Sequence, residues 1–209
     1  MVKFDAIRRR DIPEVAALHV NGISTGFISS LGVDFVESLY EAIGRSTSSF
    51  GFVAEENGKV LGFVAFSSNL NKLYKSIILT KGLSFAVRLA GRMLSVRTIR
   101  KALETLFYPV STRTENLPAA ELLSIVIAEE ARRKGLAVDL MRKGFAECVK
   151  RRISKVKVLV AADNRPANKL YLKCGFHLAG QIDSHGIRSN IYVAETHAAI
   201  DTDKGSGGR

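Results

Sequence analysis

Two segments of the chain hold residue types that could do chemistry together. The first is an apolar run, Ile125-Val126-Ile127, which passes through Ala128-Glu129-Glu130-Ala131 into a basic glycine turn, Arg132-Arg133-Lys134-Gly135-Leu136-Ala137. A strand that turns directly into a helix leaves the first helical N–H groups without intrahelical partners. Those donors, aided by the positive end of the helix dipole, can hold a phosphate. Gly135 lets backbone come close with no Cβ in the way, and Arg132, Arg133 and Lys134 add charge suited to a pyrophosphate or a 3′-phosphate. Taken alone, the turn also reads as a solvated basic loop. It is neither the GxGxxG of a dinucleotide fold nor the GxxxxGK[ST] of a nucleotide triphosphate loop.

The second segment runs from Asp163 to Phe176 and contains Asn164, Asn168 and Tyr171. On a helix starting near Pro166, Asn168 and Tyr171 share a face, with Asn164 just before it. Two amides and a phenol in this arrangement could flank a thioester. Each also has a plain structural reading: Asn164 as a cap, Asn168 as a solvated position, Tyr171 as a half-buried aromatic. Gly175 suits the helix C-terminus, with Phe176 packing after it.

The elements that must position these residues follow from periodicity and punctuation. Residues 4–8 read as a short strand. Asp11-Ile12-Pro13-Glu14 reads as a helix start in which Asp11 caps and Glu14 completes the box. Phe35, Val36, Leu39, Tyr40 and Ile43 mark a second helix ending at Gly44, and the Gly/Ser-rich loop 22–32, with Phe27 and Ile28, could suit a substrate lid. Residues 50–55 and 59–66 predict an antiparallel hairpin turning at Asn57-Gly58. A helical stretch over 72–107 has one apolar face, including Leu89, Met93 and Leu103, and ends before Pro109. Strands are expected over 122–127, 156–161 and 189–194, with helices over 137–149 and 166–174. The tail from 199 to 209 is expected to be disordered, which leaves 1–198 as one domain.

Residues 121–176 resemble the GCN5-related N-acetyltransferase (GNAT) superfamily. Its cofactor loop, Arg/Gln-x-x-Gly-x-Gly/Ala, matches Arg132, Gly135 and Ala137, and its second signature matches Asn164, Leu170, Tyr171, Gly175 and Phe176. The resemblance implies an α/β (α+β) GNAT fold, a mixed, mostly antiparallel sheet flanked by helices, in which the strand ending at Ile127 splays from strand 156–161. Residues 70–115 then stand out as a helical insertion. Acetyl-CoA, as co-substrate and without a metal, would lie in the resulting V. Backbone groups of Ile125 and Ile127 would hold the pantetheine, the Val126–Ile127 region would polarise the thioester carbonyl, and residues 132–137 would hold the pyrophosphate. Asn164 and Asn168 would bind the cofactor arm, and Tyr171 would protonate the departing thiolate. Direct attack needs an unprotonated amine, and Glu121, near the start of the central strand, is the candidate base; it also reads as a solvated strand-end charge. His19 reads as a packed or solvated histidine.

The net charge of +11 and pI near 9.9 point to an anionic partner. Residues 70–115 hold nine Lys/Arg against two acids, +7 of that total, so the excess lies in the insertion. A solvated helix face is the common meaning of such a run. It could also contact an anionic lipid surface or an anionic acceptor, such as a nucleotide- or lipid-linked amino sugar of a cell-surface glycan precursor. A protein N-terminus or a small amine is the alternative acceptor. A basic nucleic-acid-binding protein is the alternative of another class, disfavoured because no helix-turn-helix, RRM or zinc-finger pattern is present. Cys148 and Cys174 sit in no metal-ligand or disulfide framework, no run is long and apolar enough to span a bilayer, and the N-terminus lacks a signal-peptide pattern. The expected location is cytoplasmic.

Overall fold

The computed structural model describes residues 1–23, 27–73, 117–184 and 187–197. In chain order the elements are β1 (Lys3–Ala6), α1 (Ile12–Gly22), α2 (Phe27–Ser30), α3 (Val33–Arg45), β2 (Ser49–Glu56), β3 (Lys59–Ser67), β4 (Glu121–Ile127), α4 (Leu136–Lys150), β5 (Lys155–Ala161), α5 (Arg165–Lys173), β6 (His177–Ser184) and β7 (Ile187–Glu195). The strands form one sheet in the order β1-β2-β3-β4-β5-β7-β6. All neighbouring pairs are antiparallel except β4 with β5.

Alternation along the strands sends side chains to two apolar layers. Phe63 and Ala65 of β3 face α1 and α3, in a cluster with Val15, Val36 and Tyr40. Val64 and Phe66 face the other way, with Leu140, Met141 and Phe145 of α4 and Tyr171 of α5. Covered on both sides, β3 reads in sequence as a nearly continuous apolar run. Burial holds both thiols protonated, Cys148 pushed up to about 12 and Cys174 up to about 11.

Several elements depart from their sequence expectations for local reasons. Asp11 does not cap α1. It closes a 3-10 turn over Arg9–Asp11, and its Oδ2 accepts from the Arg8 backbone N–H (2.8 Å) and the Arg8 guanidinium (3.1 Å). Glu14, expected to complete that cap, instead accepts the Val60 N–H at 2.8 Å and so ties α1 to β3. Helix α3 runs one residue past Gly44, and the expected loop 22–32 holds the short helix α2. β6 was not anticipated; it is an edge strand, and Leu178 is more than half exposed. The Asn57-Gly58 turn is as expected, with positive φ at both residues. After β3, Asn69 caps a helical turn over 70–73 by accepting the Lys72 N–H at 3.0 Å. The rest of the expected insertion, residues 74–115, lies outside the described residues, as do residue 116 and the tail from 198 onward.

Gly144 of α4 is where the helix meets β3 most closely. A Cβ there would lie 2.1 Å from the Phe66 ring, which is itself stacked on Phe50 at 5.3 Å between centroids. Gly144→Ala should therefore destabilise the fold by about 1–3 kcal/mol through overpacking, despite alanine's better helix propensity. Urea denaturation checks this; an unchanged or raised midpoint would show that Phe66 can move aside.

Candidate active site

The site begins where the sheet stops pairing. β5 pairs with β7 along its whole length, from Lys155 to Ala161. With β4 it shares one register position, Glu121 opposite Lys157, and the Lys157 N–H donates to Ala120 O at 3.0 Å. Beyond that point the two parallel strands part. A cleft of about 520 Å³ runs along β4 at Ile125, Val126 and Ile127 and reaches the start of α4 and the near residues of α5.

Its β4 wall is shaped by a bulge. Opposite β3, Ala65 pairs with Ser124 and Phe66 with Leu122, so Leu123 has no partner. The extra residue sends Leu123 and Ser124 to the same side of the sheet, toward α1 and α3, and returns Ile125 to the α4 side. Past the bulge the Ala128 N–H donates to Leu61 O at 2.8 Å. Backbone direction alternates along a strand, so Val126 turns its own N–H toward β3, while those of Ile125 and Ile127 face the gap. All three residues line the cleft. The Ile127 carbonyl accepts from the Arg132 Nε at 3.2 Å.

The far end of the cleft is the basic turn. A 3-10 turn at Glu129–Ala131 leads into it, and both Arg133 (φ 63°) and Gly135 (φ 84°) are left-handed. Gly135 is the N-cap of α4 and has no side chain to offer, so no side-chain bond caps the first turn. Leu136 and Ala137 begin that turn beside the cleft, with N–H groups of the kind that bind anions. Nothing lies within 4 Å of a Cβ built on Gly135. The open space, the uncapped donors and the nearby cations suit a pyrophosphate. Arg132, Arg133, Gly135, Leu136 and Ala137 line the cleft. Lys134 is exposed and is not part of the lining.

The second sequence segment divides its tasks. Asn164 caps α5, its Oδ1 accepting the Ala167 N–H at 3.2 Å, and it lines the cleft. Asn168 has no hydrogen-bonding capacity to spare. Its Nδ2 donates to Ala161 O (3.0 Å) and Asn164 O (2.7 Å), and its Oδ1 accepts from Asn190 Nδ2 (2.7 Å) and the Tyr192 hydroxyl (3.0 Å). Two donors and two acceptor sites are thus engaged, and Asn168 lies outside the lining. Expected beside the cofactor arm, Asn168 is here a brace that ties α5 to β5 and β7. Tyr171 is buried on the same inward side, its ring 5.5 Å from that of Phe176 and 6.2 Å from that of Tyr192. Burial raises its phenol above the ordinary range, with Cys174 adding to the effect, so it is protonated at neutral pH.

Glu121 stands at the vertex of the V. Burial pushes its carboxyl up, and Lys157, with Nζ 3.8 Å from Oε2, opposes that rise. It precedes Ile125 by four residues, about 13 Å of strand.

One group at the site escaped sequence reasoning. Ser124 Oγ bonds the Tyr40 hydroxyl at 2.8 Å, and that hydroxyl bonds His19 Nδ1 at 2.8 Å. His19 was expected to be packed or solvated, and the structure packs it, stacked on Phe63 with ring centroids 6.3 Å apart. No pattern in the sequence links residues this far apart. Among the described residues there is no cluster of metal-ligating side chains and no helix long and apolar enough to cross a membrane.

Burial lowers the His19 pKa from 6.5 to about 4. Between those values the unfolded chain binds a proton that the fold refuses, so stability is complete above pH 6.5 and falls as pH drops toward 4. The loss is at most about 3 kcal/mol. His19→Asn should flatten that limb in denaturation curves taken from pH 7 to pH 4; an equally steep limb in the variant would assign the loss to other groups.

No curated protein matches the sequence. Solved structures match the fold. An N-acetyltransferase from Staphylococcus aureus Mu50 superposes with a TM-score of 0.62 at 18% identity, covering 94% of this chain and 99% of that one. The ribosomal-protein-S18-alanine N-acetyltransferase from Escherichia coli gives 0.59 at 14% identity, covering 94% of each chain. A spermidine/spermine N-acetyltransferase from Vibrio cholerae gives 0.58 at 19% identity, covering 97% of this chain and 99% of that one. The family model described as Acetyltransferase (GNAT) family matches residues 24–176. With that match spanning most of the chain, and with a sheet that parts between β4 and β5 above an uncapped basic turn, the protein belongs to the GNAT acetyltransferase family.

Proposed function

We propose that the protein transfers the acetyl group of acetyl-CoA to a primary amine by direct attack within a ternary complex. The observation that carries this reading is the continuity of the cleft, from the gap-facing amides of Ile125 and Ile127 to the uncapped start of α4 beside Arg132 and Arg133. Pantetheine would lie along β4 and the pyrophosphate on the turn, with Asn164 alongside. In the reaction the amine lone pair attacks the thioester carbonyl carbon and the C–S bond breaks. The amine gives up one proton and the thiolate takes one. Amides aimed at the carbonyl oxygen stabilise the tetrahedral intermediate.

Glu121 is the proposed base. A carboxyl raised by burial is better matched to proton transfer near neutrality than a solvated one, and its distance from Ile125 calls for a water path. Tyr171 is the proposed acid, because its phenol keeps its proton at neutral pH. Its place in the core supports a packing role as well, and the Phe variant separates the two, since it keeps the ring and removes only the hydroxyl. For the acceptor, the concentration of +7 within residues 70–115 supports an anionic molecule bearing an amine, such as a nucleotide- or lipid-linked amino sugar. Spermidine and a ribosomal protein's alanine are the acceptors of two structural neighbours, and a small amine or a protein N-terminus is the second acceptor class.

Release of free CoA across a panel of amino sugar nucleotides, polyamines and N-terminal peptides tests the reaction and the acceptor together. Turnover with the anionic amino sugars is expected; turnover confined to polyamines or peptides would reassign the acceptor. Gly135→Glu should weaken acetyl-CoA binding by at least about tenfold, because the side chain brings negative charge to the phosphate turn and a left-handed backbone disfavours it. Undiminished calorimetric affinity would place the cofactor elsewhere.

Tyr171→Phe should lower turnover by about 10²-fold with little change in acetyl-CoA affinity, and Glu121→Gln should remove the rise in rate that accompanies deprotonation of the base. Unchanged turnover in the first variant, or an unchanged pH–rate profile in the second, would withdraw the corresponding role.

A further inference from the structure

We infer that His19, Tyr40 and Ser124 form a buried positioning chain that fixes the register of the β4 bulge and thereby aims the Ile125 amide into the cleft. The inference rests on the acetyl-CoA reading above, and it assigns to three residues a part in the reaction that neither the sequence signatures nor the cleft lining suggests.

All three side chains are almost fully buried, at 5%, 1% and 7% exposure. They sit among Val15, Val36, Phe63 and Val126 in an otherwise apolar layer, where polar groups are costly unless fully paired. Here they are paired, by the two 2.8 Å bonds. The hydroxyls can donate in one sense along the chain: Ser124 to Tyr40 to His19 Nδ1 if that nitrogen is bare, or the reverse if it carries the proton. Phe63 holds both rings, stacked on His19 at an interplanar angle of 15° and edge-on to Tyr40 at 5.2 Å. The chain thus joins α1, α3 and β4 at one point.

That point is the bulge. Leu123 has no partner on β3, so local pairing alone sets its position weakly. A strand that slips by one residue exchanges its two faces and its two edges. Such a slip would turn Ser124 toward Leu140 and Phe145 on the α4 side, where the cluster is apolar, and would turn the Ile125 N–H from the gap toward β3. The bond from Ser124 to Tyr40 exists only in the register that leaves the Ile125 amide free. These are positioning residues: they act on the thioester through the backbone of β4.

Tyr40→Phe removes both hydrogen bonds and keeps the ring. In the full-length protein we expect acetyl-CoA affinity, read by calorimetry, to stay within about threefold, since most of the cofactor is held elsewhere. Turnover should fall by about 10–100-fold, the scale of a misplaced or lost carbonyl donor. The infrared band of bound acetyl-CoA labelled with carbon-13 at the carbonyl should move back toward its position in free solution. Ser124→Ala should reproduce these effects, and Ser124→Thr, which keeps the hydroxyl, should restore them. Gly144→Ala controls for lost stability alone and should leave the band in place. An unshifted band with wild-type turnover in Tyr40→Phe and Ser124→Ala overturns the inference while leaving the donor reading intact. An equal loss in Gly144→Ala also overturns it, by reducing the effect to stability. A wild-type protein that binds no acetyl-CoA overturns the donor reading and this inference with it.

Discussion

The structure depends on one failure of pairing. Backbone N–H and C=O groups are normally satisfied by neighbouring strands, and β5 pairs along its whole length with β7, which engages the backbone groups on that edge. It meets β4 only at Glu121 and Lys157. The consequence is a row of β4 backbone groups with no strand partner, open to a ligand that can replace one. A pantetheine arm carries amides suited to that task. The sheet can leave the gap open because one buried cluster takes side chains from both halves, β2 to β4 and β5 with β7, together with α4 and α5, and the Asn168 bonds tie α5 to β5 and β7.

Charge and burial are graded along the gap. Its outer end holds exposed Arg132 and Arg133 beside the bare start of α4, where solvent-exposed cations and amides can receive phosphate. Its inner end holds Glu121 and Lys157, both mostly buried, where desolvation raises a carboxyl rather than leaving it a solvated anion. Beside its middle lies the neutral chain of His19, Tyr40 and Ser124. The groups proposed for binding and for proton transfer thus fall in different dielectric surroundings on one strand and its flanks.

Much of this was legible in the residues. The hairpin at Asn57-Gly58 follows from a turn whose two positive φ values only a few residue types accept. The strand at 125–127 and the turn at 132–137 were legible because a strand, a glycine and a helix start follow one another immediately in the chain. Other features had no local signature. β6 is an edge strand with an exposed Leu178, so it lacks the alternation that burial imposes on inner strands. Asp11 and Glu14 fit a capping pattern, yet Arg8 and the Val60 amide offered better partners, one of them across the fold. Asn168 was expected beside the cofactor arm, but its partners Ala161, Asn190 and Tyr192 come from β5 and β7, and no pattern within residues 163–176 announces bonds to those strands.

The sequence by itself determined most of the elements and the basic turn, because each rests on contacts between residues near one another in the chain. The tertiary structure decided where β4 and β5 part, which β4 amides face the gap, and that Ser124 meets Tyr40 and His19. Those outcomes depend on register and on hydrogen bonds across 84 and 21 positions of the chain. A one-residue shift leaves composition and periodicity almost unchanged and reverses every face, so packing alone could choose among the registers.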